Sequence, residues 1–222
     1  MACALAAEPG AGPSIAGRVR VTTSLSKKRI SMPQVYERQA ALAAPPPSES
    51  GAADLKDELR RVVIYIDTTG LASEPVQATM NQKQRRFSPE ILAVPAGSTV
   101  KFPNWDPIFH NVFSLSGAKS FDLGNYSSGQ SRSISFPKPG LVQLHCHLHP
   151  NMSGAILVTP NSWFTQPDAT GEFSLAGIPP GRYQLVAWHK SAGYFRRWVQ
   201  VRIGTPLTVD FEIPLTDRAE AR

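Results

Sequence analysis

The sequence predicts an all-β protein with one larger and one smaller β-sandwich. Short apolar runs separated by turn residues recur along the chain, which is typical of sandwich strands. The 20 prolines and 16 glycines favour turns over long helices. With 222 residues, 41% of them hydrophobic, the chain is long enough to bury one large core or two small ones.

The strand signals fall into an early, a central and a late stretch. Early on, a strand is predicted over 15–21, linker composition over 44–51, a helical turn or two within 54–60 and a buried strand over 62–66. In the central stretch, strands are predicted over 91–94, 99–102, 111–115, 131–136, 141–146 and 155–159. In the late stretch they are predicted over 172–175, 182–188, 197–203 and 207–213.

These stretches predict a division of the chain into domains. It comprises a tail or signal remnant over 1–13, early strands with a proline-rich linker over 14–78, the larger sandwich over 79–160, the smaller sandwich over 161–216 and a tail over 217–222. The early strands can complete the smaller sandwich. The sequence therefore leaves open whether the larger sandwich is inserted in the smaller one or the two follow in series.

Charge and composition exclude some classes of function. The formal net charge of +6 suits association with acidic proteins or an anionic membrane surface. Lys and Arg are scattered without interleaved aromatics, so we expect no nucleic-acid binding. No apolar stretch is long enough to span a membrane. The segment 4–6 resembles the end of a secretory signal, although an Ala-rich tail without a targeting function fits equally well. Cys3 lies in this tail, so we expect no disulfide between Cys3 and Cys146.

The residues that carry chemistry are concentrated in the segment 145–152, His-Cys-His-Leu-His-Pro-Asn-Met. Side chains alternate along the preceding strand, so Cys146 shares the apolar, inward face with Val142 and Leu144. Two residues separate Cys146 from His149, and two more separate His149 from Met152. A tight loop at the strand end can thus fold an imidazole and a thioether back towards the thiolate.

This combination of donors indicates copper. Thiolate and thioether sulfur together with imidazole select copper over hard cations. The set lacks a second imidazole, and His110, at the start of a predicted strand, is the candidate. His145 should point outward; whether His147 helps to bind a further metal is left open.

The stretch from about Phe87 to Thr159 resembles the plastocyanin, pseudoazurin and amicyanin branch of the cupredoxins, and the wider plastocyanin-like or methylamine-utilisation group. The resemblance is carried by Phe87, Pro89, Gly97, Val100, Phe102, Asn104, Asp106, His110, Asn111, Val112, Gly140, Cys146, His149 and Met152. It implies a Greek-key β-sandwich with one type 1 (blue) copper ion. The implied equatorial ligands are His110, Cys146 and His149, and the implied axial ligand is Met152. Asn111, Asn104 and Pro150 would surround the ligands, with Asn111 tying the two ligand loops together.

The region from Thr170 to His189 is similar to carboxypeptidase regulatory-like (transthyretin-like) sandwiches, which usually begin with a strand like 15–19. The cupredoxin resemblance implies an extracytoplasmic electron carrier, not an enzyme, and the positive charge of the chain favours an acidic redox partner of the dehydrogenase or cytochrome class. The alternatives are copper storage or delivery, and an adhesive scaffold with a vestigial copper site. A multicopper enzyme would need more copper ligands, and beyond His110 and the segment 145–152 the chain supplies only one further histidine, His189.

Overall fold

The structure is a computed structural model that describes residues 14–24 and 56–216. The predicted tails, Cys3 and the linker run 44–51 lie outside the described residues. The described chain contains a helical turn over 56–59 and no helix long and apolar enough to cross a membrane. Its strands are β1 (Ile15–Ser24), β2 (Val62–Ile66), β3 (Gln77–Thr79), β4 (Asn81–Lys83), β5 (Arg86–Ser88), β6 (Ile91–Pro95), β7 (Ser98–Pro103), β8 (His110–Ser116), β9 (Lys119–Tyr126), β10 (Ser131–Phe136), β11 (Gly140–His145), β12 (Ser153–Thr159), β13 (Phe164–Thr165), β14 (Glu172–Leu175), β15 (Gly181–His189), β16 (Gly193–Val201), β17 (Leu207–Thr208) and β18 (Phe211–Thr216).

Strands β3 to β12 form the larger sandwich, residues 77–159. One sheet has the order β10-β7-β3 and the other β6-β12-β11-β8-β9, while β4 and β5 form a separate hairpin. On β11, buried Val142 and Leu144 alternate with exposed Gln143 and His145, as expected for a strand with one face on the core. The core between the sheets also contains Met80, Phe87, Val94, Val100, Phe102, Val112, Tyr126, Phe136, Cys146, Met152, Ile156 and Val158.

The smaller sandwich combines strands from both ends of the described chain. In one sheet, β1 pairs with β14 on one side and with β17 and β18 on the other; the second sheet has the order β13-β2-β15-β16. Its core contains Ile15, Val19, Leu59, Val62, Ile64, Ile66, Phe173, Leu175, Ile178, Tyr183, Leu185, Ala187, Val199, Val201, Phe211 and Ile213. All strands of the larger sandwich therefore lie, along the chain, between β2 and β13 of the smaller one.

A third apolar layer joins the two sandwiches. The second face of β2 and β15 packs on the second face of β6 and β12, through Val63, Tyr65, Val186, Trp188, Ile91, Ala155 and Leu157. Every strand of this layer is consequently buried on both faces, which explains the continuous apolar run at 62–66. Beside the layer, Glu90 accepts hydrogen bonds from Arg61 (3.2 Å) and Lys190, and Arg61 also pairs with Glu58 (2.7 Å).

The structure corrects the predicted strand 207–213, which is two strands, β17 and β18. The first half of β1 pairs with β17 and the second half with β18. At the break, Asp210 Oδ1 accepts the backbone N–H of Arg18 (2.8 Å). A Cβ atom on Gly17 would lie 1.9 Å from the carbonyl oxygen of Val209, so only glycine allows this close approach.

Further differences concern strand limits and missed strands, among them the short strands β3 and β13. Strand β16 begins at Gly193, before the predicted start at 197. Strand β9, at the edge of its sheet, was not predicted, although its partly buried Phe121 and Leu123 alternate with exposed Ser120 and Asp122. The hairpin of β4 and β5 was also missed; its turn residues Gln84 and Arg85 have positive φ angles of 55° and 56°, without the Asn-Gly pair that usually marks such a turn.

Candidate metal centre

The end of β11 places Cys146 inside the core of the larger sandwich. Its side chain is 4% exposed and continues the inward face of the strand. The loop that follows turns twice, since the N–H of His149 bonds to the carbonyl of Cys146 (3.4 Å) and the N–H of Met152 bonds to the carbonyl of His149 (2.9 Å). These turns bring buried Met152 into the same core as Cys146.

His110 reaches this place from the neighbouring strand. Strands β8 and β11 are antiparallel partners, with Phe113 opposite His145, so the start of β8 lies beside the end of β11. The side chain of His110 is fully buried. The structure thus brings together two segments that are far apart in sequence.

Three donor atoms converge. Cys146 Sγ lies 3.6 Å from His149 Nδ1 and 3.9 Å from His110 Nδ1, and the two Nδ1 atoms are 3.2 Å apart. Within the described residues this is the one group of three or more His, Cys, Asp or Glu donors that could hold a metal ion. Because the group offers one thiolate and two imidazoles and no carboxylate oxygen, it suits copper better than calcium or magnesium. The donor set therefore fits a copper ion.

His149 is only partly buried, whereas His110 is fully buried. Burial lowers the pKa of His149, and the neighbouring His110 lowers this pKa further. The imidazole is consequently neutral at neutral pH and can offer the Nδ1 lone pair to a metal. The two rings meet edge to face, with centroids 4.8 Å apart.

Asn111 connects the two segments that carry the donors. Its backbone N–H points at Cys146 Sγ (3.4 Å), and its side-chain oxygen accepts the N–H of His147 (3.4 Å). Its Nδ2 donates to Asp122 Oδ1 (2.6 Å) on β9. One side chain therefore ties β8, β9 and the loop after Cys146 together.

His147 lies on the outer side of this loop. Its ring stacks on Phe113 at a centroid distance of 3.8 Å and an angle of 5°, and its Nε2 is 3.3 Å from Asp122 Oδ2. The N–H of Gly124 and the amide of Asn111 hold the pKa of Asp122 below its usual range. His145 is exposed, as expected, and Pro150 lies exposed beside His149. The described part of the chain shows no second metal-binding group that contains His145 or His147.

Asp106 contacts His110 from the side opposite the other donors. Its Oδ2 lies 2.7 Å from His110 Nε2, and its two oxygens accept the N–H groups of Gln84 (2.6 Å) and Arg85 (2.8 Å). Burial raises the pKa of Asp106, but these hydrogen bonds outweigh burial and hold the pKa below its usual range. The sequence placed Asp106 among the residues that carry the resemblance but gave no sign of this contact.

Asn104 supports the loop between β7 and His110 from inside the protein. It is fully buried; its Nδ2 donates to the carbonyls of Ile108 (2.8 Å) and Tyr126 (3.2 Å), and its Oδ1 accepts the N–H of Asp106 (2.9 Å). This predicted neighbour of the ligands therefore contacts the loop and Asp106 rather than a donor atom.

Solved structures resemble part of this chain. A Cu-containing nitrite reductase from Thermus scotoductus SA-01 is 30% identical, with 38% of this chain and 23% of that chain covered and a TM-score of 0.36. A reduced amicyanin variant is 26% identical, with 37% and 81% covered and a TM-score of 0.35. A purple cupredoxin from Nitrosopumilus maritimus is 24% identical, with 37% and 99% covered and a TM-score of 0.34.

No protein-family model matches the chain, and no curated protein sequence matches it. The match to the nitrite reductase spans less than a quarter of that chain, and nothing about the activity of the present chain follows from it. The function proposed next therefore depends on the donor atoms and their surroundings.

Proposed function

We propose that the protein binds one type 1 copper ion through His110, Cys146, His149 and Met152 and works as an electron carrier rather than as an enzyme. The observation that supports this most strongly is the convergence of two imidazole Nδ1 atoms and one thiol sulfur, with the thiol in the apolar core of the larger sandwich and one imidazole at its edge. Copper would supply a one-electron couple between Cu(I) and Cu(II) at this place.

The surroundings of the donors suit electron transfer because they hold the donors still. His110 and Met152 are at most 1% exposed, and Cys146 Sγ receives the backbone N–H of Asn111. Ligands that cannot move far keep one geometry for both oxidation states. Met152, in the same core as Cys146, is the weak axial ligand in this proposal.

His149 is the donor nearest to solvent, so its ring edge is the proposed exit for the electron. Exposed apolar side chains directly precede two ligands in sequence, namely Phe109 (58% exposed) and Leu148 (45%), and Trp105 (61%) lies in the loop before His110. With a net charge of +6, the protein should prefer an acidic redox partner of the dehydrogenase or cytochrome class. We place the protein outside the cytoplasm, in a periplasm or similar compartment.

The test is the visible absorption and EPR spectrum after addition of one equivalent of Cu(II). We expect an intense thiolate-to-copper charge-transfer band and narrow copper hyperfine splitting, both lost in Cys146→Ser. His147→Asn is the matched control, since His147 is exposed beside the same loop and should leave the spectrum intact. A pale spectrum of nitrogen and oxygen ligation that survives Cys146→Ser would refute the proposal and favour copper storage or delivery.

A further inference from the structure

The hydrogen bond between Asp106 and His110 has consequences for the second nitrogen of the ring. Asp106 is the acceptor of this hydrogen bond. Its side chain is 10% exposed, and the side chain of His110 is fully buried. A carboxylate can only accept hydrogen bonds, so His110 Nε2 must carry the proton. A neutral imidazole has one N–H, and Nδ1 is then left with a free lone pair that faces Cys146 and His149.

Asp106 is itself fixed in place by the β4–β5 hairpin. Both N–H groups that reach it belong to the turn residues Gln84 and Arg85, which adopt left-handed backbone conformations. Such conformations are unfavourable for non-glycine residues. Two hydrogen bonds to an ionised carboxylate compensate for this cost, because hydrogen bonds to charged groups are stronger than those between neutral groups. The hairpin and the carboxylate therefore stabilise each other.

We propose that Asp106 is a positioning residue for the metal centre: it selects the tautomer of His110 that aims Nδ1 at the copper position, and it favours Cu(II) over Cu(I). The second effect follows from charge. A buried anion attracts the more highly charged ion more strongly, and the low local dielectric preserves this difference. The redox part rests on the proposed function; the tautomer part requires only the chain itself.

The tautomer is tested on the metal-free wild-type protein with 15N-labelled histidine by NMR. We expect the His110 signals of a ring protonated at Nε2 and bare at Nδ1, with slow exchange of the buried Nε2 proton. A ring protonated at Nδ1 would overturn the positioning role. This measurement needs no variant and no bound metal.

The charge effect is tested with Asp106→Asn, which keeps the size of the side chain. Loss of a residue that orients a metal ligand typically weakens metal binding about 10–100-fold. We expect Asp106→Asn to lose this much affinity for Cu(II) and less affinity for Cu(I). For each factor of ten by which the loss for Cu(II) exceeds the loss for Cu(I), the reduction potential rises by about 59 mV. The control is Asp67→Asn, the same chemical change at an exposed site in the smaller sandwich, which should leave the potential unchanged.

The outcomes separate the two proposals. A wild-type protein without the charge-transfer band would refute the type 1 site, while the tautomer measurement would still decide the role of Asp106. A folded Asp106→Asn with the wild-type band and an unchanged potential would refute the charge effect alone. If Asp106→Asn does not fold, Asp106→Ser, which removes the charge and keeps an oxygen acceptor, is the second variant. We expect the same direction of change, a higher reduction potential, and a folded Asp106→Ser with an unchanged potential would refute the charge effect.

Discussion

Trp188 offers the sharpest test of the layer that joins the two sandwiches. It is 1% exposed, and it packs from β15 against residues of β6 and β12 in the larger sandwich. Replacement by alanine removes the largest side chain of this layer and leaves the core that contains Cys146 and Met152 untouched. We therefore expect Trp188→Ala to lower stability without changing the metal centre.

The size of the effect follows from the buried area. A buried tryptophan removes about 150–250 Å² from water. At about 25 cal/mol per Å² the corresponding transfer free energy is about 4–6 kcal/mol. This range is an upper bound because the unfolded chain already buries some apolar surface. Measured Trp→Ala costs in protein cores are about 3–5 kcal/mol, so we expect a loss of about 4 kcal/mol in the free energy of unfolding.

The assay is urea unfolding followed by far-UV circular dichroism, with Trp198→Ala as the matched control. Trp198 lies on the adjacent strand β16, is 63% exposed and contacts Arg182, whose guanidinium lies 4.9 Å from the ring centroid. An exposed cation–π pair contributes about 0.5–1 kcal/mol, so the control should lose no more than that. Equal losses in both variants would contradict the joining role of the layer, as would a changed Cu(II) spectrum in Trp188→Ala.

Two further predictions concern Met152 and His189. Met152→Leu conserves the volume of the side chain and should cost less than about 1.5 kcal/mol in the free energy of unfolding. The charge-transfer band should persist, and the reduction potential should change. Loss of the band would show that Met152 is more than a weak axial ligand. His189 is buried, and its Nδ1 accepts the N–H groups of Ser191 (3.2 Å) and Ala192 (3.1 Å), so it is neutral in the fold. Burial lowers its pKa, and the carboxylate of Glu58, 3.0 Å from Nε2, raises this pKa by less than burial lowers it. The pKa of His189 in the folded protein lies below the value of about 6.5 in the unfolded chain. The stability that neutral His189 contributes is therefore fully present above about pH 6.5. As the pH falls below this value, the free energy of unfolding decreases by up to about 1.4 kcal/mol per pH unit. Urea unfolding of the metal-free protein should show a shallower pH dependence in His189→Gln, and identical slopes would contradict the assignment.

The sequence predicts the fold best where one local pattern decides it. The runs at 62–66, 131–136 and 172–175 coincide with β2, β10 and β14, because apolar runs and turn residues suffice to define short strands. The split between β17 and β18 depends instead on which part of β1 each one pairs with. That partner is almost 200 positions away, so no local pattern reveals the break.

The same reasoning explains what could be predicted of the metal centre. Cys146, His149 and Met152 lie within seven residues, so their spacing alone predicts that they converge. His110 could be named only as the candidate for the missing imidazole, because the pairing of β8 with β11, which brings it close, is not visible in the local sequence. The role of Asp106 could not be predicted, because it depends on a hairpin turn without glycine or asparagine that the sequence gives no reason to expect.

The connections between the sandwiches bear on the arrangement that the sequence left open. The chain leaves the smaller sandwich after β2 and returns at β13, and these strands pair, with Phe164 opposite Tyr65. Beside them, buried Asn161 donates to the carbonyls of Ile66 and Thr68 (2.9 Å each), and Ser162 Oγ accepts the N–H of Glu74 (2.8 Å). Exit and return thus lie side by side, which is the geometry that tolerates insertion of a domain. We infer that the larger sandwich is inserted in the smaller one, and that the bonded connections and the apolar layer with Trp188 hold the two as one body.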